Sequence, residues 1–417
     1  MPELYSWSPL CKVSNVRTAY RCRAYPTPDQ VAVFNRTFGC VRLVWNKTLV
    51  ERHAAFLQRG ERTSYKQTDA ALTAWKKTED LAFLSEVSSV PLQQTLRHQH
   101  TAYANFFAKR ARYPRFKSRT GKQSAHYTRS GFRIKDGLLH VAKTDGSLTV
   151  AWSWPDVDLT VLDPTMVVIS READGRWYVT FAVDVDQPDP LPATGHEIGI
   201  DLGLTDFAVT SDADRIANPR HLARKARNLA RYQRRMARKQ RGSANRRKAR
   251  TKVAVAHRKV RNARRDFLHK TSTALIAQAD TIVLEDLAVA NMARNRSLAK
   301  AISDVGWAEF RDMLEYKAAR AGRHLIVIDR WCPSSKTCSH CGHLLPRLDL
   351  GTRHWTCPAC RTRHDRDINA AKNILAAGRA VAGDTSGDAC GADVRQQGSS
   401  LLRSAVKQEP RAARRPA

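Results

Sequence analysis

The chain has 417 residues, 42 % of them hydrophobic, with 71 Lys and Arg against 39 Asp and Glu and a formal net charge of +32. That length predicts two to four domains, and the apolar fraction excludes a chain disordered throughout. So basic a body repels itself and calls for a polyanionic partner. Nucleic acid is the natural one, because each neutralised phosphate releases counterions. A membrane role is excluded instead: no apolar run is long enough to span a bilayer, and the opening MPELYSWSPLCKV has no signal-peptide core, so a cytoplasmic location is expected.

Residues 17–25 read as a strand with basic outward positions. Thr27-Pro28-Asp29-Gln30 then starts a helix, with Thr27 as cap, Pro28 in the first turn and Gln30 closing a capping box. Helical patterning runs through Phe34, Val41, Trp45, Leu49 and Phe56 and returns over 92–107, before a basic, aromatic turn at 113–117. From about 130 to 185 the period changes to two, which predicts strands at 138–141, 148–152, 166–170 and 177–183, with Asp174-Gly175 as a hairpin turn. The Pro-rich stretch 187–195 marks a boundary. Strands follow at 197–201 and 207–210. Residues 220–265 then hold 20 Lys or Arg and no Asp or Glu. Leu222, Leu229 and Met236 recur there every seven residues, which predicts helix, and Gly242-Ser243 breaks it into a hairpin. Further strands fall at 281–284 and 325–328, with a helix between them over 307–320. A Gly-, Ala-, Ser- and Arg-rich tail at 378–417 reads as disordered.

Three acidic residues stand out by context. Asp201 and Glu285 each end an apolar strand, and Asp367 opens the Ala-rich helix DINAAKNIL. A carboxylate at the end of a buried strand needs a partner, and a divalent metal is one. Three convergent carboxylates can hold two magnesium ions about 4 Å apart, the arrangement used in two-metal phosphodiester cleavage, and magnesium prefers such hard oxygen ligands. Each acid taken alone also fits an ion pair or a helix cap, and Asp286 and Asp365 compete for the same role.

Of nine cysteines, Cys338, Cys341, Cys357 and Cys360 form two CxxC knuckles fifteen residues apart. Four thiolates at that spacing close a tetrahedral zinc site with no open position for water, so the zinc is structural. His340, His343, His354 and His364 are further potential ligands, and Cys332 lies outside both knuckles.

GIDLGLTDFAVTS, IVLEDLAVANMARN and HDRDINAAKNIL resemble the three split motifs of the RuvC-type nuclease domain of the TnpB family. PSSKTCSHCG with CPAC resembles the zinc ribbon that this family carries between its second and third motifs, and AYRCRAYPTPDQ, FGCVRLVWNKTL and YPRFKSR resemble its amino-terminal region. The resemblance covers residues 17–377. It implies an α/β plus β architecture: a wedge β-barrel from 1–25 and 130–190, a helical recognition lobe from 26–129, and a ribonuclease-H-like (RuvC) domain from 195–333 and 361–377. The basic helices 220–265 lie within that domain, and the zinc-ribbon insert spans 334–360. It further implies a transposon-encoded relative of the type V CRISPR effectors, in a bacterial cell and nucleoid-associated. Its partners would be a guide RNA from the transposon end and a double-stranded DNA target. Asp201, Glu285 and Asp367 take the catalytic, magnesium-binding positions, and Cys338, Cys341, Cys357 and Cys360 the zinc positions. Arg234, Arg235, Arg238, Lys239, Arg246 and Arg247 are expected to contact nucleic-acid phosphates, since Arg dominates that run and suits bidentate phosphate contacts. The competing readings are a nuclease-inactive RNA-guided regulator, a transposase that joins DNA ends, and a basic zinc-ribbon binding module; the last leaves the strand-end acids without a purpose.

Overall fold

The computed structural model describes residues 16–154, 157–349 and 351–383. The first fifteen residues of the expected barrel segment and residues 384–417 of the expected tail lie outside the described residues. Two compact units emerge: residues 1–187 with 232–255, and residues 188–231 with 256–417.

In the first unit, β1 (Val16–Tyr25) leads into α1 (Pro28–Arg59), α2 (Tyr65–Trp75) and α3 (Ser89–Phe107). The capping box forms as the residues dictate: Gln30 N donates to Thr27 Oγ1 at 3.3 Å, and Thr27 N donates to Gln30 Oε1 at 3.2 Å. Strands β2 (Gln123–Thr128), β3 (Phe132–Lys135), β4 (Leu138–Val141), β5 (Ser147–Ala151), β6 (Met166–Arg171) and β7 (Trp177–Val185) complete a seven-stranded sheet in the order β2-β6-β7-β1-β5-β4-β3. Its two edge strands, β2 and β3, are joined by only three residues, Arg129–Gly131, so the edges must curl toward each other. The result is a nearly closed barrel. Tyr127, Val167, Ile169, Val179 and Phe181 fill its core, with Phe34 and Phe38 of α1 packed on the same cluster. After the helices the sheet resumes with β2 at 123, seven residues ahead of position 130. Within QSAHYT only Ala125 and Tyr127 point inward, too weak an alternation to announce a strand.

In the second unit, β8 (Glu197–Leu202), β9 (Asp206–Thr210), β10 (Arg215–Ala217), β11 (Thr281–Glu285) and β12 (His324–Ile328) form a sheet in the order β10-β9-β8-β11-β12. β8, β11 and β12 run parallel, and β9 and β10 are antiparallel additions. Between β10 and β11 come α4 (His221–Ala237) and α5 (Ala244–Gln278), broken at Gly242-Ser243 as the composition predicts. Their tip, 232–255, falls in the first unit and not with the strands it is inserted between. α6 (Val289–Met292), α7 (Ala299–Val305) and α8 (Trp307–Ala321) follow β11. One face of the sheet packs on α5, α7 and α8 through Leu268, Leu275, Ile302, Phe310 and Leu314. The other packs on α9 (Arg366–Gly383) through Val283, Ile328 and Ile374. α9 runs six residues past the expected end of the domain at 377. A short hairpin, β13 (His354–Thr356) with β14 (Arg363–Asp365), precedes it. Among the described residues no helix is long and apolar enough to cross a membrane.

Candidate active site and cysteine cluster

The three acids are assembled by register and by two glycines. Ile200 of β8 pairs with Leu284 of the parallel strand β11, so Asp201 and Glu285 come next, side by side at the carboxyl ends of the two strands. Neighbouring strands lie about 4.8 Å apart, and residues in matched parallel register share a face. Asp367 arrives from the first turn of α9. A Cβ on Gly199 would sit 2.2 Å from the Ala371 carbonyl oxygen, so only glycine lets α9 lie directly on β8. Ala371 is one helical turn beyond Asp367, and Gly199 lies two residues before Asp201. The contact that seats the helix therefore brings Asp367 toward Asp201. Gly378 repeats the device on β11, where its Cβ would meet Val283 Cγ1 at 2.5 Å.

The charges respond to this placement. Burial pushes the Asp201 carboxyl up to about 7, and the negative charges of Asp367 and Glu285 push the same way, against Arg366 and Arg353. Glu285 is also pushed up to about 7, by burial and then by Asp286. Among the described residues neither the Asp201 nor the Glu285 carboxyl has a hydrogen bond or ion pair. Asp367 Oδ2 lies 3.5 Å from Arg353 Nη1 and 3.9 Å from Arg215 Nη1. The two competing acids are occupied elsewhere. Asp365 Oδ1 accepts from the backbone amides of Asp367 and Ile368, both at 3.1 Å, which caps α9, while its Oδ2 pairs with Arg215 Nη2 at 2.7 Å. Asp286 is clamped by Arg311 at 2.6 Å and by Arg330. Two carboxyls without a hydrogen-bond or ion-pair partner, beside a third that leans on Arg353 and Arg215, make a hard-oxygen set that fits a divalent cation such as magnesium.

Cys338, Cys341, Cys357 and Cys360 present their sulfurs within 4.8 Å of one another and could hold a metal ion. Each knuckle is shaped by its own backbone: Gly342 N donates to Cys338 O, and Arg361 N to Cys357 O. The residue after each second cysteine is left-handed, Gly342 at φ 76 and Arg361 at φ 63. The Thr362 hydroxyl lies 3.2 Å from Cys360 Sγ, and with the Thr362 amide it holds that thiol down to about 6, toward the thiolate a metal requires. His364 Nε2 stands 3.0 Å from Cys338 Sγ, beside the cluster. Cys332 lies outside it, packed with Val283 and Ile374.

Asn369 and Asn373, one turn apart on α9, had not been singled out by sequence. Asn369 Nδ2 donates to Thr337 O at 2.7 Å, and its Oδ1 accepts from Ser339 N at 2.9 Å. Asn373 Nδ2 reaches Thr337 O at 2.6 Å and Ser334 O at 2.7 Å. The two amides tie the first cysteine knuckle to the helix that carries Asp367. Their signal in the sequence was two amides four apart within an otherwise Ala-rich helix.

Of the six basic residues expected at phosphates, Arg234, Arg235, Arg238 and Lys239 are exposed and have no acidic partner among the described residues. Arg246 also has a local role. It is half-buried, and its Nη1 donates to the carbonyls of Lys239 at 2.8 Å and Met236 at 3.1 Å, closing the end of α4. Arg247 Nη1 likewise donates to Gly242 O at 3.1 Å. Both stand at the hairpin turn, where the last carbonyls of α4 need donors.

Three family models match the chain: one described as "Probable transposase" over residues 180–296, "Cas12f1-like, TNB domain" over 307–374 and "Helix-turn-helix domain" over 14–61. In this chain the described part of the last stretch, from residue 16, is a strand followed by one unbroken helix. A Streptomyces pristinaespiralis protein named "Putative RNA-guided DNA endonuclease" is 52 % identical, covering 96 % of this chain and 98 % of that protein. An Escherichia coli protein of the same name, InsQ, is 30 % identical over 94 % and 97 % of the two chains. Among solved structures, the cryo-EM structure of a Cas12f1–sgRNA–target DNA complex matches with a TM-score of 0.52 at 16 % identity, covering 82 % of each chain. That last likeness is one of fold.

Proposed function

The chain belongs to the TnpB family, and on that premise we propose that it is an RNA-guided DNA endonuclease of a transposable element, hydrolysing target DNA at one site. The observation that carries the reading is the convergence of Asp201, Glu285 and Asp367, with Asp201 feeling the charge of the other two. In this reading the second unit is a ribonuclease-H-like (RuvC) domain with a zinc ribbon over 334–360. The barrel and α1–α3 are the wedge and recognition lobe. A sheet led by a central strand, with an antiparallel meander on one side and two parallel strands on the other, supports it.

Asp201, Glu285 and Asp367 would hold magnesium, which when bound supplies an activated water and positive charge at the leaving oxygen. Glu285 and Asp201 remain without protein partners, so their oxygens are available as ligands. Arg353 holds its guanidinium beside Asp367 and Thr205, where it can orient a phosphodiester. Asp365 fixes the start of α9 and so the position of Asp367. Cys338, Cys341, Cys357 and Cys360 would hold a structural zinc. Arg234, Arg235, Arg238 and Lys239 would track phosphates of the guide RNA or of its duplex with the DNA target.

The test is to purify the chain with RNA co-expressed from its own flanking sequence, sequence the bound RNA and assay a matching duplex. A double-strand cut abolished by chelator is expected. Tight target binding without any cut would replace this reading with a nuclease-inactive regulator, and joined DNA ends would replace it with a transposase.

A further inference from the structure

In the first unit a cavity of about 200 Å³ opens among α1, α2 and the loop between them, lined by Thr48, Arg52, Arg59, Arg62 and Gln67 among others. Arg52 is 7 % exposed, yet its Nε and Nη2 have no hydrogen-bond partner. The Thr48 hydroxyl, one turn earlier on α1 and 1 % exposed, has none either. A guanidinium does not give up its proton in a protein, so a buried one without an acceptor is costly. The acids lining the cavity do not answer it: Glu51 pairs with Lys47 at 3.1 Å, and Glu61 with Arg59 at 2.9 Å. The guanidinium is nevertheless held in place. Its Cζ lies 5.1 Å from the centre of the Tyr103 ring, and Tyr103 is itself fixed by a 3.0 Å hydroxyl contact with Tyr113. Arg62 adds a second cation at the same cavity, its Cζ 5.4 Å from the Phe107 ring centre.

We propose, resting on the reading that the partners are nucleic acids, that this cavity seats one backbone phosphodiester against the Arg52 guanidinium, with the Thr48 hydroxyl one turn away turning to meet it. A guanidinium offers several N–H donors to the acceptor oxygens of a phosphate, and an anion relieves the buried charge. The volume also suits a single phosphate, being below the roughly 300–1,000 Å³ of pockets that take whole small molecules. The phosphate comes from the RNA or from the target DNA.

The test uses the full chain and Arg52→Met, which keeps the bulk of the side chain and removes its charge. Without the anion Arg52→Met should melt no lower than the wild type, because an unpaired buried cation has been removed. Inorganic phosphate should raise the Tm of the wild type above that in chloride of equal ionic strength, and this increment should vanish in Arg52→Met. An equal increment in both proteins overturns the proposal. If Arg52→Met does not fold, the near-isosteric Thr48→Val decides in its place: a smaller increment supports the seat and an unchanged one overturns it. The source is found by measuring affinity for the co-purifying RNA and, with RNA bound, for target duplex. The arm that supplies the phosphate should weaken about tenfold, with a salt slope shallower by about 1. Unchanged affinity and slope in both arms overturn the nucleic-acid seat. Failure of any RNA to co-purify would count against the proposed function, while the phosphate increment would still decide the site.

Discussion

The four cysteines and the three carboxylates are held by neighbouring parts of one unit, but they are assembled in opposite ways. Each cysteine knuckle is a loop of a few residues closed by its own backbone hydrogen bonds, and two such loops need only meet. The carboxylates come from positions 201, 285 and 367, and although Asp365 caps the turn that carries Asp367, no local loop brings the three together. They depend on the pairing of β8 with β11 and on the close seating of α9 over Gly199. The cysteine cluster is thus tolerant of what happens in the sheet, whereas the acid site is exposed to every shift of register. Asn369 and Asn373 join the two, since they hold the first knuckle against α9.

The largest effect expected is at the acids. Asp201→Ala, Glu285→Ala and Asp367→Ala should each lower the cleavage rate by about 10³ or more, because ligands of one site act as a unit. RNA and target binding should persist, and single-turnover cleavage with parallel binding measurements reads both. Asp365→Ala should instead remove the cap of α9, lowering stability by about 1 kcal/mol and leaving measurable cleavage. The reverse result, with Asp365→Ala dead and Asp367→Ala active, would exchange their roles.

Next come the cysteines. Cys338→Ser or Cys357→Ser should lower zinc content in elemental analysis and loosen the ribbon, because metal binding and folding are coupled in small knuckles. Cleavage should fall only in part, through the asparagine link. Wild-type protein free of zinc would refute the assignment. The link itself is the sharper probe. Asn369→Ala and Asn373→Ala should each cost only about 1 kcal/mol, since the Thr337 and Ser334 carbonyls each keep the other amide as donor. In the double variant the losses should not add, because both amides donate to Thr337 O. Additive losses in denaturant unfolding would show two independent contacts and no shared clasp.

The smallest effect is in pH dependence. Asp201 and Glu285 are pushed up to about 7, above the roughly 4 of the unfolded chain. Between those values the folded protein binds more protons than the unfolded one, so magnesium-free protein should lose stability as pH rises from about 4 to 7. Magnesium should restore it, more at pH 8 than at pH 5.5. Thermal unfolding of wild type against Asp201→Asn isolates the contribution, and identical pH profiles would show that these carboxyls do not titrate in that range.

Much of this was legible from residues close together in the chain. The capping box at Thr27 and Gln30, the helix break at Gly242-Ser243, the two CxxC knuckles and the two strand-end acids each declare themselves within a few positions, because caps, turns and knuckles are closed by neighbouring atoms. Tertiary structure alone decided the rest. β2 could not be read because only Ala125 and Tyr127 face the core beside four polar residues, and its pairing with β6 makes it a strand. Arg246 reads only as a basic side chain in the sequence, and the end of α4 adds two carbonyls for its Nη1. Asp365 and Asp367 are interchangeable in sequence and distinct in space, one capping the helix and the other facing Asp201 and Arg353. Sequence carries the chemistry of each side chain, but whether a carboxylate is a cap, an ion pair or a ligand depends on partners contributed by strands and helices far along the chain, and only the packed sheet brings those partners within hydrogen-bond or Coulomb range.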